Sequence, residues 1–125
     1  MLKRLPSTLL LAGVVALSAC GGTSSASTTV PADAGLVVTA VAGIAWDAKS
    51  YTAPAGDVKV ALKNDSDLVH NLVLVDSTGT QLPSKIKVNA QGDVAVATIA
   101  LKSGTYTVIC TVPGHANMKS TLTVK

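Results

Sequence analysis

Soft metal ligands are so sparse in this chain that their positions constrain it more than any other feature. Beyond residue 19 there are one methionine, Met118, two histidines, His70 and His115, and two cysteines, Cys20 and Cys110. Three of these five crowd into the run Cys110-Thr111-Val112-Pro113-Gly114-His115-Ala116-Asn117-Met118, directly behind the strand-like residues 105–109. Pro113-Gly114 is a turn signal, and it bends His115 and Met118 back over Cys110, from which His115 is five residues away. The demand on the fold is then to carry His70, forty positions upstream of Cys110, to the same loop.

Residues 1–19 read as an export leader, in which Lys3 and Arg4 precede an apolar run over 9–17. That run is too short to span a bilayer as a stable helix. It ends in Leu17-Ser18-Ala19-Cys20 and continues Gly21-Gly22, which resembles a bacterial lipobox. The resemblance implies that Cys20 is acylated and becomes the first mature residue, holding the protein in the cell membrane on its extracytoplasmic side. Residues 20–35, small and polar without periodicity, suit a flexible tether. From Cys20 onward eight lysines and no arginine face seven aspartates, a net charge of 8 − 7 = +1. Without an arginine cluster or interleaved aromatics, nothing marks a nucleic-acid surface.

Cysteine arithmetic leaves two readings open. An exported chain with two cysteines forms one disulfide by default. If Cys20 carries lipid, Cys110 is an odd thiol that must be either deeply buried or bound to metal to escape oxidation.

Short apolar or alternating runs fill residues 36–125. Residues 36–42 form a first strand that 44–46 continue past Gly43, and further strands fall at 58–63, 68–75, 85–88, 93–100, 105–110 and 120–124. Turn residues separate them, as in Pro54-Ala55-Gly56-Asp57 and Asn64-Asp65-Ser66-Asp67. Seven to eight strands without an amphipathic helix predict an all-β sandwich or barrel. Trp46, Tyr51 and Tyr106 are the only aromatics besides the histidines and are read as packing residues. The two-residue period places Tyr106, Val108 and Cys110 on one face of their strand. The same period aligns His70 with Leu68, Leu72 and Leu74, so both faces can look into a common interior.

A thiolate, two imidazoles and a weak thioether form the blue-copper ligand set. Structural zinc sites pair their ligands locally, and a catalytic zinc site leaves a position open where Met118 would stand. Each residue also has an ordinary role: Cys110 as a buried thiol, His70 and His115 as edge or surface histidines, Met118 as a core filler. Jointly those roles would require every soft ligand of the domain to fall at ligand spacing by accident.

The segment from Tyr106 to Val124 resembles the ligand loop and last strand of the cupredoxins, the small blue-copper proteins of the azurin, plastocyanin and amicyanin kind. Cys110 to His115, residues 121–124, and Val69-His70-Asn71-Leu72 carry the likeness, which covers residues 36–125 in strand order. It implies a Greek-key β-sandwich of eight strands with one type 1 copper ion held by His70, Cys110, His115 and Met118. It also implies that a monomer passes single electrons between redox protein partners, which dock on Val112, Pro113 and Ala116 around His115. Asn71 is expected to hydrogen-bond near Thr111 and join the two ligand segments. The Cys110–His115 interval is the azurin one and the His115–Met118 interval the amicyanin one. Val69 stands where azurin has the glycine that lends a carbonyl ligand, so that ligand is not expected here.

Other functions fit less well. A module for copper storage, delivery or resistance would gain from methionine or histidine tracts, which are missing, although the ligand set alone does not separate it from a carrier. An enzyme would need further histidines or acids, and the chain has no glutamate. A metal-free adhesion sandwich would leave the ligand spacing without a purpose.

Overall fold

Alternation of apolar and polar residues becomes β-structure throughout the part of the chain that the structure, a computed structural model, describes: residues 28–125. The expected leader and acylated Cys20 lie outside those residues. The strands are β1 (Leu36–Val41), β2 (Ala45–Trp46), β3 (Ser50–Ala53), β4 (Gly56–Asn64), β5 (His70–Val75), β6 (Gln81–Val88), β7 (Val94–Leu101), β8 (Gly104–Ile109) and β9 (Lys119–Val124). No helix occurs among the described residues.

Two sheets face each other, one in the order β2-β1-β4-β7 and the other β3-β9-β8-β5-β6. β1 runs parallel to β4, and β3 parallel to β9; the remaining pairings are antiparallel. The chain crosses repeatedly between the sheets, making the expected all-β, Greek-key sandwich. Val38, Val60 and Leu62 of the first sheet are fully buried, as are Leu72, Leu74, Val108 and Leu122 of the second. Each such side chain contributes about 1.5–3 kcal/mol on leaving water, and together they hold the sheets in register where the ligand strands end.

Four details depart from the sequence expectation, each for a physical reason. The count is nine strands, because residues 45–46 form one of their own and residues 50–53, not read as a strand from sequence, pair as β3 along the edge of β9. Residues 45–46 do not prolong β1: Gly43 (φ 88°) and Ile44 (φ 55°) are both left-handed, so the chain reverses and Ala40 pairs with Trp46. A β-branched residue at positive φ is an outlier, which no local rule anticipates at Ile44. Leu68 is 42% exposed and lies before β5 rather than on its inner face. Side-chain hydrogen bonds from Asn64 and Ser66 hold residues 65–69 in a loop instead. β6 spans eight residues, not four, and includes Pro83. It is an edge strand, where a missing N–H is tolerated.

Residues 33–35, at the end of the expected tether, lie against the first sheet. The Gly35 N–H donates to the Lys59 carbonyl at 2.9 Å, and Asp33 pairs with the Lys59 ammonium. A Cβ at Gly35 would meet Val58 Cγ1 at 2.8 Å, so only glycine allows this close approach.

Candidate metal centre

The ligand strands terminate at one end of the sandwich. His70 is the first residue of β5 and pairs with Val88. Cys110 follows β8 directly, and His115 and Met118 sit on the loop from β8 to β9. Two successive turns shape that loop. His115 N–H donates to the Val112 carbonyl at 3.0 Å, with Pro113 and Gly114 (φ 87°) at the central positions of a type II turn. Met118 N–H then donates to the His115 carbonyl at 2.9 Å. The expected bend at Pro113-Gly114 is therefore a specific backbone conformation that requires left-handed glycine.

The loop returns His115 to Cys110. Cys110 Sγ and His115 Nδ1 are 3.6 Å apart, and the rings of His70 and His115 are 4.8 Å apart between centroids. One ligand atom from each of His70, Cys110 and His115 can be chosen so that all three lie within 4.8 Å of one another, and all three residues are buried. Met118, only 1% exposed, shares a cleft with Trp46, whose ring centroid is 6.5 Å from that of His70. Cys110 carries a free thiol.

The donor set fits copper. Metal–ligand bonds of about 2.0–2.3 Å place the atoms of a trigonal set about 3.5–4 Å apart, the separation of Cys110 Sγ from His115 Nδ1. His70 Nδ1 is buried without any hydrogen-bond partner, an acceptor waiting for a Lewis acid. Burial, followed by the charge His115 would carry, pushes the His70 imidazole below its ordinary pKa of 6.5 and favours the neutral, ligating form.

Around the ligands, Asn71 Oδ1 accepts from the Thr111 N–H at 2.8 Å and from Thr111 Oγ1 at 3.1 Å, spanning the two ligand segments. Trp46 Nε1 donates to the Val108 carbonyl at 3.3 Å. Two residues read from sequence only as parts of a turn, Asn64 and Ser66, belong to the site, since Ser66 Oγ lies 2.7 Å from His70 Nε2. The one signal for them is a hydroxyl four residues before a ligand histidine.

Comparison with known proteins agrees with the geometry. Among solved structures, auracyanin from the photosynthetic bacterium Roseiflexus castenholzii is 26% identical with a TM-score of 0.62, covering 81% of this chain and 99% of that one. Auracyanin A, a "blue" copper protein from the green thermophilic photosynthetic bacterium Chloroflexus aurantiacus, is 24% identical (TM-score 0.58), covering 71% and 96%. A reduced amicyanin variant is 20% identical (TM-score 0.57), covering 77% and 86%. No curated protein sequence matches the chain. The profile of the copper binding proteins, plastocyanin/azurin family, matches residues 33–125, nearly the whole of the described chain and a span that contains His70, Cys110, His115 and Met118. With that match and a buried thiol–imidazole cluster at the end of a two-sheet sandwich, this chain belongs to the plastocyanin/azurin family of copper-binding proteins.

Proposed function

We propose that the protein is a one-electron carrier that exchanges electrons with redox proteins at its metal end. The observation that carries this reading is the closure of His70, Cys110 and His115 into one buried cluster. Copper held there would alternate between its cuprous and cupric states. The protein's part is to keep the ligands still, so that little rearrangement accompanies the change of charge. Strands β5 and β8, the double turn of the loop and the Asn71–Thr111 bonds serve that end. His115 is 7% exposed and His70 fully buried, which favours His115 as the route by which electrons leave. Pro113 and Ala116 are exposed beside it, with Val112 half-buried. Leu68 and Val69 add exposed apolar surface on the loop that leads into His70. An apolar rim of this kind suits brief docking, with charge supplying orientation.

Storage or delivery of copper is the competing use, and the burial of all four ligand residues argues against rapid exchange. Visible and electron paramagnetic resonance spectra after addition of copper(II) separate the two. An intense thiolate-to-copper band with narrow hyperfine splitting is the expected result; a pale tetragonal signal would overturn the carrier.

We place the protein on the extracytoplasmic side of the cell membrane, anchored by lipid on Cys20 and acting as a monomer. The leader and the lipobox-like run of residues 17–22 support this. Replacing Cys20 with serine should release the protein from the membrane fraction, and an unchanged distribution would remove the anchor.

A further inference from the structure

The crossover from β4 to β5 carries a chain of hydrogen bonds whose direction is fixed at every step. It begins at Asn64, which is fully buried. Asn64 Nδ2 donates to the carbonyls of Leu68 at 2.8 Å and Ala90 at 3.2 Å, so its oxygen must be the atom facing Ser66. That oxygen accepts from Ser66 N–H at 3.1 Å and from Ser66 Oγ at 3.0 Å. Having given its single proton to Asn64, Ser66 Oγ can only accept. It takes the Leu68 N–H at 3.2 Å and faces His70 Nε2 at 2.7 Å. His70 Nε2 therefore carries the imidazole proton, and Nδ1 keeps its lone pair.

The opposite assignment fails on two counts. If Ser66 donated to Nε2, two acceptor oxygens would face each other at 3.0 Å across the Asn64–Ser66 contact. The imidazole proton would then sit on Nδ1, which is buried and has no acceptor. Leaving such a donor unsatisfied is costly.

We propose that Asn64 and Ser66 are positioning residues that lock the His70 tautomer and ring orientation before any metal arrives. Neither is itself a ligand: Ser66 acts through its bond to His70, and Asn64 acts through Ser66. Asn64 also ties this device to a distant turn. Its side chain holds the Ala90 carbonyl, its backbone N–H donates to the Asp93 carbonyl at 2.9 Å, and its carbonyl accepts from Gly92 N–H at 2.7 Å. The β6–β7 connection thereby braces a ligand twenty residues before it in sequence. Hydrogen bonds to the remote nitrogen of a ligating histidine set both its tautomer and its basicity, and their loss typically weakens metal binding about 10–100-fold.

The proposal rests on the copper-site reading, but its first test uses metal-free protein and so stands or falls separately. Long-range proton–nitrogen NMR on protein labelled in its histidines reports which ring nitrogen is protonated. In the unaltered chain at a pH where His70 is neutral, His70 should show the Nε2–H form alone; a substantial Nδ1–H population would overturn the proposal. In Ser66→Ala that selection should relax into a mixture of tautomers, and copper(II) affinity should fall about 10–100-fold. Ser66→Thr, which keeps the hydroxyl, should restore both. A single Nε2–H tautomer with undiminished copper affinity in folded Ser66→Ala would also overturn it. If the Ser66→Ala protein does not fold, the tautomer in the unaltered chain still decides.

Discussion

Asn71 and Thr111 are joined twice, by bonds of 2.8 and 3.1 Å to a single carboxamide oxygen, although forty residues separate them. Asn71 adjoins the ligand His70 and Thr111 adjoins the ligand Cys110, so this junction sets the distance between the two ligand segments. Asn71→Ala leaves the Thr111 N–H without its acceptor. The expected cost is about 1–3 kcal/mol, measured by denaturant unfolding, together with a broadened copper spectrum. Unchanged stability and spectrum would make the junction incidental.

Met118, buried beside Trp46, is the soft, weak fourth donor in the proposed copper site. In blue-copper sites the axial ligand tunes the reduction potential. Met118→Gln substitutes a harder oxygen that favours cupric copper, so voltammetry should find a lower potential while the thiolate band persists. A potential that does not move would place the Met118 sulfur out of reach of the metal.

Docking is tested at the rim. Val112→Asp or Pro113→Asp introduces a carboxylate beside His115, where an apolar partner surface would have to desolvate it. Electron exchange with physiological partners should slow at least several-fold, with the potential little changed. Exchange at the original rate for every partner would move the docking surface elsewhere.

Trp46 packs behind His70 and bonds to Val108, and it is 7% exposed. Trp46→Ala should cost about 3–5 kcal/mol, seen as a lower denaturant midpoint. A loss below about 1 kcal/mol would mean that the neighbouring side chains close the gap.

Asp76 anchors the turn between β5 and β6. Its Oδ1 accepts from Thr78 Oγ1 at 2.6 Å, Thr78 N–H at 2.9 Å and Thr80 N–H at 3.0 Å. These bonds, led by the Thr78 hydroxyl, hold the carboxyl below its ordinary pKa of 3.8. A depressed carboxylate stabilises the fold fully above its unfolded pKa and loses that contribution as pH falls through the folded value. Acid titrations of the original chain and Asp76→Asn should therefore differ above about pH 4 and converge below it. A constant gap at all pH values would exclude the carboxylate as the source.

The ligand residues could be picked out from sequence because chemistry and period agree there. Soft ligands are rare in this chain, and alternation puts His70 with Leu72 and Cys110 with Val108 on faces that are indeed buried. The rest depended on information outside any local window. Asn64 and Ser66 have the composition of an ordinary turn, and only the folded chain turns their polar atoms inward to His70. Pro83 weakens the strand signal of β6 because its tolerance depends on being at an edge, a property of the whole sheet. Ile44 reverses the chain with a residue type that normally resists positive φ, so its surroundings must impose the conformation.

The fastening at Gly35 determines how the molecule would hang from a membrane. β1 runs parallel to β4, and both advance toward the end where His70 begins β5, so the backbone enters β1 on the half remote from the metal. With Cys20 as the proposed mooring, fifteen residues reach Gly35, a contour of at most about 50 Å. The chain thus enters the domain at the opposite pole from the His70 end. A domain moored from that side would turn its metal end away from the lipid, as a lamp faces outward from its bracket.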